Sequence, residues 1–222
     1  MEDVKKSLVL NFLIFILVLF GVVFMFLGIR FMNVGIVLSI NGLEALKFFT
    51  VDSNIFVGVS SILFFVYEFL FIKKKINIIP KFVYHFKYVA TVSVMLTFIV
   101  TAFFLVPTSK YNWLAFYSNS NLFFHLIVPI FSLISFCFYE KTDFIGFKHV
   151  FLSLIPIITY GIFYTISVLS HLYGGAVSFK YDFYGFLRFG VDSMFLVIFL
   201  VLILSLVLGF IVRKLNKKQY MG

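Results

Sequence analysis

Two short stretches place reactive side chains in an otherwise apolar chain. "KFFTVDSNIF" carries Thr50, Asp52, Ser53 and Asn54, and "NLFFHLIVPIF" carries His125 and Pro129 just after Asn121. A threonine hydroxyl is a weak nucleophile until a base takes its proton, and a histidine, with an unperturbed pKa of about 6.5, suits that task near neutral pH. Asn54 or a freed backbone amide would then stabilise an oxyanion. The rival reading is structural: Thr50 bonds its own helix backbone and His125 is a satisfied packing residue.

Helical spacing sorts these groups. Residues three and four apart share a face, so Thr50, Ser53 and Asn54 line up, whereas Asp52, about 200° round from Thr50, points elsewhere. Asn121, His125 and Pro129 are spaced by fours. Proline cannot donate to the carbonyl four residues back, so the His125 carbonyl is expected to lose its helical partner at a kink. Thr101, Asn119, His171, Asp192 and Ser193 fall at the same expected depth, with His171 closing one span and Asp192 opening the next. His171 and Asp192 join Ser53 and Asn54 as candidate site support. "TVDSNIF" and "GVDSMF" echo one another, which sets Asp52 and Asp192 at similar depth.

The elements that must position these residues follow from composition. Of 222 residues, 63% are hydrophobic and only 12% charged, far from the balance of soluble domains. A helix needs roughly 20 apolar residues to cross a hydrocarbon core. Six runs qualify, at about Ser7–Gly28, Phe48–Ile72, Tyr88–Val106, Leu122–Tyr139, Phe151–Ser170 and Met194–Val212. They are too long and uniform for barrel strands and leave little chain for a soluble domain. The expected fold is therefore all-α, a polytopic bundle of six transmembrane helices forming a single domain over 1–222. The first run reads as an uncleaved helix, because it is too long for a signal peptide and no small-x-small cleavage site follows it.

Charge sets the orientation. With alternating spans, Lys5, Lys6, Lys73–Lys75, Lys81, Lys87, Lys141, Lys148, Arg213, Lys214, Lys217 and Lys218 share one side. Only Arg30, Lys47, Lys110, Lys180 and Arg188 fall on the other. By the positive-inside rule both termini are cytoplasmic, and the net charge of +9 reflects orientation and anionic lipid rather than nucleic acid. The stretches Lys73–Lys87 and Lys141–Lys148 are then short cytoplasmic loops. Glu68, Glu140, Asp143, His85 and His149, all near lysines, read as solvated or ion-paired helix ends.

On the opposite side, Asn41 and Glu44 form an Asn-x-x-Glu pattern that caps a helix running straight into the second span, which would put Thr50 two turns inside it. Tyr111, Trp113 and Tyr117 form an aromatic belt, and "HLYGGAVSFKYDFYGFLRFGVD" reads as an ordered rim. The lone Cys137 excludes an intrachain disulfide and reads as a packing residue. The four histidines divide between the two faces without a Cys or carboxylate cluster, so no metal site is expected. No cofactor motif is present: the spans lack a Walker loop, a GxSxG elbow and a dinucleotide fingerprint.

"KFFTVDSNIF" resembles the Lys-Phe-x-Thr span entry of the androgen-induced-protein and androgen-dependent tissue-factor-pathway-regulator family of membrane threonine hydrolases. "NLFFHLIVPIF" is similar to its His-containing span with a following proline, and "YDFYGFLRFG" to the aromatic segment before its last helix. The likeness runs through most of the chain in order and helix count, and Asp52 and Asn54 lie closer to the bacterial branch. The resemblance implies a Thr50 nucleophile and a His125 base cleaving fatty acid esters of hydroxy fatty acids in a bacterial plasma membrane, and the charge topology puts the site toward the outer leaflet. Two further readings stand beside it. One is a lipid acyltransferase on the same residues. The other is a non-enzymatic transporter or lipid-binding membrane protein, disfavoured by the few charges within the spans and the absence of an inverted repeat.

Overall fold

The computed structural model describes residues 1–32, 34, 42–110 and 112–217. Asn41, Tyr111 and Lys218, which entered the sequence reading, lie outside them. The protein is helical, with no strand among the described residues. Six helices are long and apolar enough to cross a membrane: α1 Glu2–Leu27, α2 Phe49–Ile72, α3 Lys81–Thr108, α4 Ser120–Tyr139, α5 Phe147–Ser170 and α6 Val191–Asn216. Their outer faces carry exposed large apolar residues such as Phe20, Val59, Phe163 and Leu200, as expected where lipid rather than water is the neighbour.

The spans match the expected count and order, but all except the second begin earlier, the first and third by the most. α1 starts at Glu2 and α3 at Lys81, so the expected loop up to Lys87 ends at Pro80, which supplies the residue before the helix. Lys87 thus belongs to α3 and is wholly buried. Glu68 and Glu140, at 1% and 3% exposure, are not solvated ends either. Both are drawn into a polar cluster with α1, where Asn11 Nδ2 donates to Glu68 Oε2 (3.3 Å) and Glu140 Oε1 (2.9 Å). Asn216 of α6 donates to the Phe136 and Glu140 carbonyls at the same end. The start of α1 and the end of α6 therefore come together at one end of the bundle. His85 and His149 keep modest roles at this end: His85 bonds the Phe144 carbonyl, and His149 Nδ1 accepts from Gly146 N.

Close helix approach rests on small residues, which stand in for a hydrophobic driving force that lipid does not supply. A Cβ on Gly58 of α2 would lie 2.8 Å from Val18 Cγ1 of α1, and one on Gly21 would lie 2.6 Å from Phe124 Cε1 of α4. Cys137 is buried in the core beside Val212, as a packing residue would be. Gly58→Ala should lower the unfolding free energy by about 1 to 3 kcal/mol through overpacking. Val18→Ala should restore part of that loss in the double variant, read by equilibrium unfolding in mixed micelles. Additive losses would show that the two residues do not compete for space.

Candidate functional site

Thr50 lies in the first turn of α2 rather than two turns inside a longer helix. The preceding 3₁₀ turn, Gly42–Lys47, does not continue into α2, because Phe48 is extended (φ −95°, ψ 129°) and breaks the path. Two tyrosines fasten the break. Phe49 N donates to Tyr184 Oη (3.1 Å), and Tyr160 Oη donates to the Lys47 carbonyl (2.6 Å). Burial pushes the Tyr184 phenol up to about 12, so it stays a neutral hydroxyl at this helix start.

The face-sharing set behaves as its spacing requires. Ser53 Oγ donates to the Thr50 carbonyl (3.1 Å) and pairs with Thr97 Oγ1 of α3 (3.1 Å). Asn54 Nδ2 donates to the Thr50 carbonyl (2.7 Å) and to the Phe124 carbonyl of α4 (3.1 Å). Both hydrogens of the Asn54 amide are thereby engaged, so Asn54 supports Thr50 by position and has no donor left for an oxyanion. Its Oδ1 is buried without a partner. Asp52 is half-buried and borders neither cavity described below. The Thr50 hydroxyl makes no hydrogen bond to its own helix among the described residues.

Around His125, α4 departs from α-helical register. Residues Phe123–Ile127 form a π-helical turn in which Val128 N bonds the Phe123 carbonyl. This moves the vacancy expected from Pro129. With Val128 N committed five residues back, the Phe124 carbonyl would look to residue 129, and proline has no N–H to give. The carbonyl that needs a side-chain donor is thus that of Phe124, not His125 as α-register spacing implied, and Asn54 supplies it. α3 repeats the pattern: its π turn Thr101–Leu105 likewise ends two residues before a proline, Pro107. That second turn was missed in the sequence, although Pro107 marked it.

The His125 ring is buried, and its Nδ1 bonds the Phe116 carbonyl (2.8 Å). A carbonyl only accepts, so Nδ1 carries the hydrogen and Nε2 keeps the lone pair in the neutral ring. Phe116 belongs to the 3₁₀ turn Trp113–Tyr117, which Asn112 caps through Leu114 N (3.0 Å). Asn119, at φ 55°, accepts from Phe31 N and Met32 N (both 2.8 Å) and ties the end of α1 to the start of α4.

Two cavities meet at Thr50. The first, of about 120 Å³, is bordered by Thr50 and His125 together with Arg30, Ser118, Asn119 and Asn121. The second, of about 130 Å³, lies between α2, α3, α5 and α6 and is bordered by Thr50, Thr101, Leu96, Val100, Ile157 and Val201. Thr50, Leu105 and Tyr184 belong to both walls. Thr50 and His125 share the polar cavity, but no hydrogen bond joins them among the described residues.

His171 and Asp192 are not drawn in. His171 is exposed, bonds the Ser167 carbonyl and stacks on Tyr181 (centroids 3.5 Å apart), and Asp192 is exposed where Asp52 is half-buried. The rim's buried acid is instead Asp182, which accepts from Tyr164 Oη, Phe186 N and Leu187 N. The Tyr-Asp-Phe-Tyr-Gly run held that signal, since an aspartate before a turn readily collects backbone amides. Among the described residues no group of His, Cys, Asp and Glu could hold a metal ion.

Asn54→Leu leaves the Phe124 carbonyl buried without a donor and should cost about 1 to 3 kcal/mol in micellar unfolding. Nitrogen NMR of ring-labelled histidine should show His125 with its hydrogen on Nδ1; the Nε2–H form would contradict the bond to Phe116. No family model, curated protein or solved structure matches this chain.

Proposed function

We propose that this chain is an integral membrane hydrolase of long-chain lipid esters, such as fatty acid esters of hydroxy fatty acids, with Thr50 as nucleophile and His125 as general base. The basic residues near the Lys87 end, including Lys73–Lys75, Arg213 and Lys214, support a reading by the positive-inside rule in which both termini are cytoplasmic and Thr50 is toward the outer leaflet. The observation that carries the reading is the His125 bond to Phe116: it leaves Nε2 as a proton acceptor on a ring that borders the same cavity as Thr50.

The chemistry follows from that arrangement. His125 Nε2 takes the Thr50 proton, directly on closure or through one water, since catalytic hydrogen bonds often tighten only with substrate. Thr50 Oγ1 attacks the ester carbonyl. The developing oxyanion meets the Thr50 amide at the positive end of the α2 dipole, the first-turn N–H left over among the described residues once Phe49 N bonds Tyr184 and Val51 N and Asp52 N bond the Phe48 carbonyl. The alcohol leaves with the proton from His125, and water then releases the acyl group from Thr50. The apolar cavity suits the acyl chain, and the polar one, with Arg30 and Asn119 on its wall, suits the alcohol portion.

Thr50→Ala and His125→Ala should each reduce lipid-ester turnover by about 10² to 10⁴-fold in preparations that keep native helical content and elution; wild-type turnover in either variant overturns the assignment. Acyl transfer to an added lipid alcohol would show in the products and identify the acyltransferase version of the same site. The transporter reading draws on one observation, the buried charges around Lys87. It predicts no Thr50-dependent labelling by an acylating active-site probe.

A further inference from the structure

The most heavily charged interior lies away from Thr50, where α1, α2, α3 and α4 meet. Lys87 is 0% exposed, and its Nζ donates to Asn11 Oδ1 (2.7 Å) and Ser61 Oγ (2.6 Å). Asn11 turns its other end to the acids, so that one amide group touches the ammonium through Oδ1 and both carboxylates through Nδ2. Among the described residues neither Glu68 nor Glu140 forms a direct ion pair with Lys87.

Two further groups complete the cluster. Ser7 Oγ (3.2 Å) and Ser135 Oγ both donate to Glu140 Oε1, beside the Asn11 amide. Glu140 Oε1 thus gathers every donor that Glu140 receives, while Oε2 is buried with none. A carboxylate oxygen removed from water with no donor is costly.

Charge balance points the same way. Two carboxylates and one ammonium leave an excess negative charge in an interior that tolerates none unpaired. The other charged or titratable groups near the pair are placed otherwise. Tyr84 of α3 and Cys137 of α4 are neutral hydrogen carriers, Lys6 of α1 is engaged with Glu2 (2.7 Å) and lies over the Tyr139 ring, and Lys141 follows Glu140 outside α4. α6 contributes Asn216, which is uncharged.

We propose that Glu68 and Glu140 together form a proton-binding site that holds one exchangeable proton, seated where Glu140 Oε2 lacks a donor. The ligand is a proton rather than a metal ion: the Lys87 ammonium already lies across Asn11 from the pair and would oppose a second metal-like charge, whereas a proton bonds directly to the bare oxygen. The binding step is a carboxylate taking up one proton from the adjacent aqueous phase, with no other reactant. It joins the proton to the contacts between four helices, independently of what Thr50 does.

The test is a count of protonated carboxyl groups by infrared spectroscopy of the full chain in phosphatidylcholine vesicles, identified by their shift in deuterium oxide. Glu68→Gln and Glu140→Gln should each remove one protonated carboxyl, because the remaining acid is balanced by Lys87. Lys87→Gln should add one, because both acids then need a proton. Each variant is checked for native helical content and elution, and either glutamine variant reads the loss if the other misfolds. A count unchanged in both glutamine variants overturns the proposal. So does a protonated carboxyl that appears in the native protein only when sodium is replaced by choline, which would assign the place to an alkali cation.

Discussion

A carbonyl that proline leaves without a donor has to find one inside an apolar protein, and at Phe124 the donor is Asn54. That amide is the point on which the Thr50 end depends. Because both of its hydrogens are used, on the Thr50 and Phe124 carbonyls, it fixes the first turn of α2 against the turn that carries His125. Neither turn is regular: one starts after an extended residue, the other has slipped into π register. In water such irregular backbone could be solvated; in a span it must be paired by neighbouring protein.

The same demand explains why the irregularities cluster. The π turns Thr101–Leu105 of α3 and Phe123–Ile127 of α4 border the two cavities that meet at Thr50, each two residues ahead of a proline, whereas a further π turn, Ser135–Tyr139, lies at the other end of α4. A π turn swings the following helix round relative to the preceding one and leaves carbonyls uncommitted. The cavities lie where the chain has already given up close helical packing, and side chains such as Tyr160, which donates to the Lys47 carbonyl, supply partners the backbone needs there.

Much of this was legible in the sequence, for physical reasons. Six apolar runs leave few alternatives, and helical phase correctly separated Thr50, Ser53 and Asn54 from Asp52. The depth of His125 matched that of Thr50 closely enough for both to reach one cavity. Register was less legible: Pro129 announces a broken bond, but whether the vacancy falls at residue 124 or 125 depends on whether the turn is α or π. Least legible was Lys87. A lysine beside a run of lysines reads as interface until Asn11, Glu68 and Glu140, from three other helices, are seen to converge on the same place. Pairings between helices leave no trace in spacing along any one of them.

The turn Trp113–Tyr117 bears an exposed Trp113 at one end and the carbonyl that holds His125 near the other. A few ångströms of movement in that turn would release the imidazole to exchange tautomers, and the nitrogen facing the cavity would change from acceptor to donor. Through one carbonyl, the placement of that turn decides which His125 nitrogen keeps its lone pair.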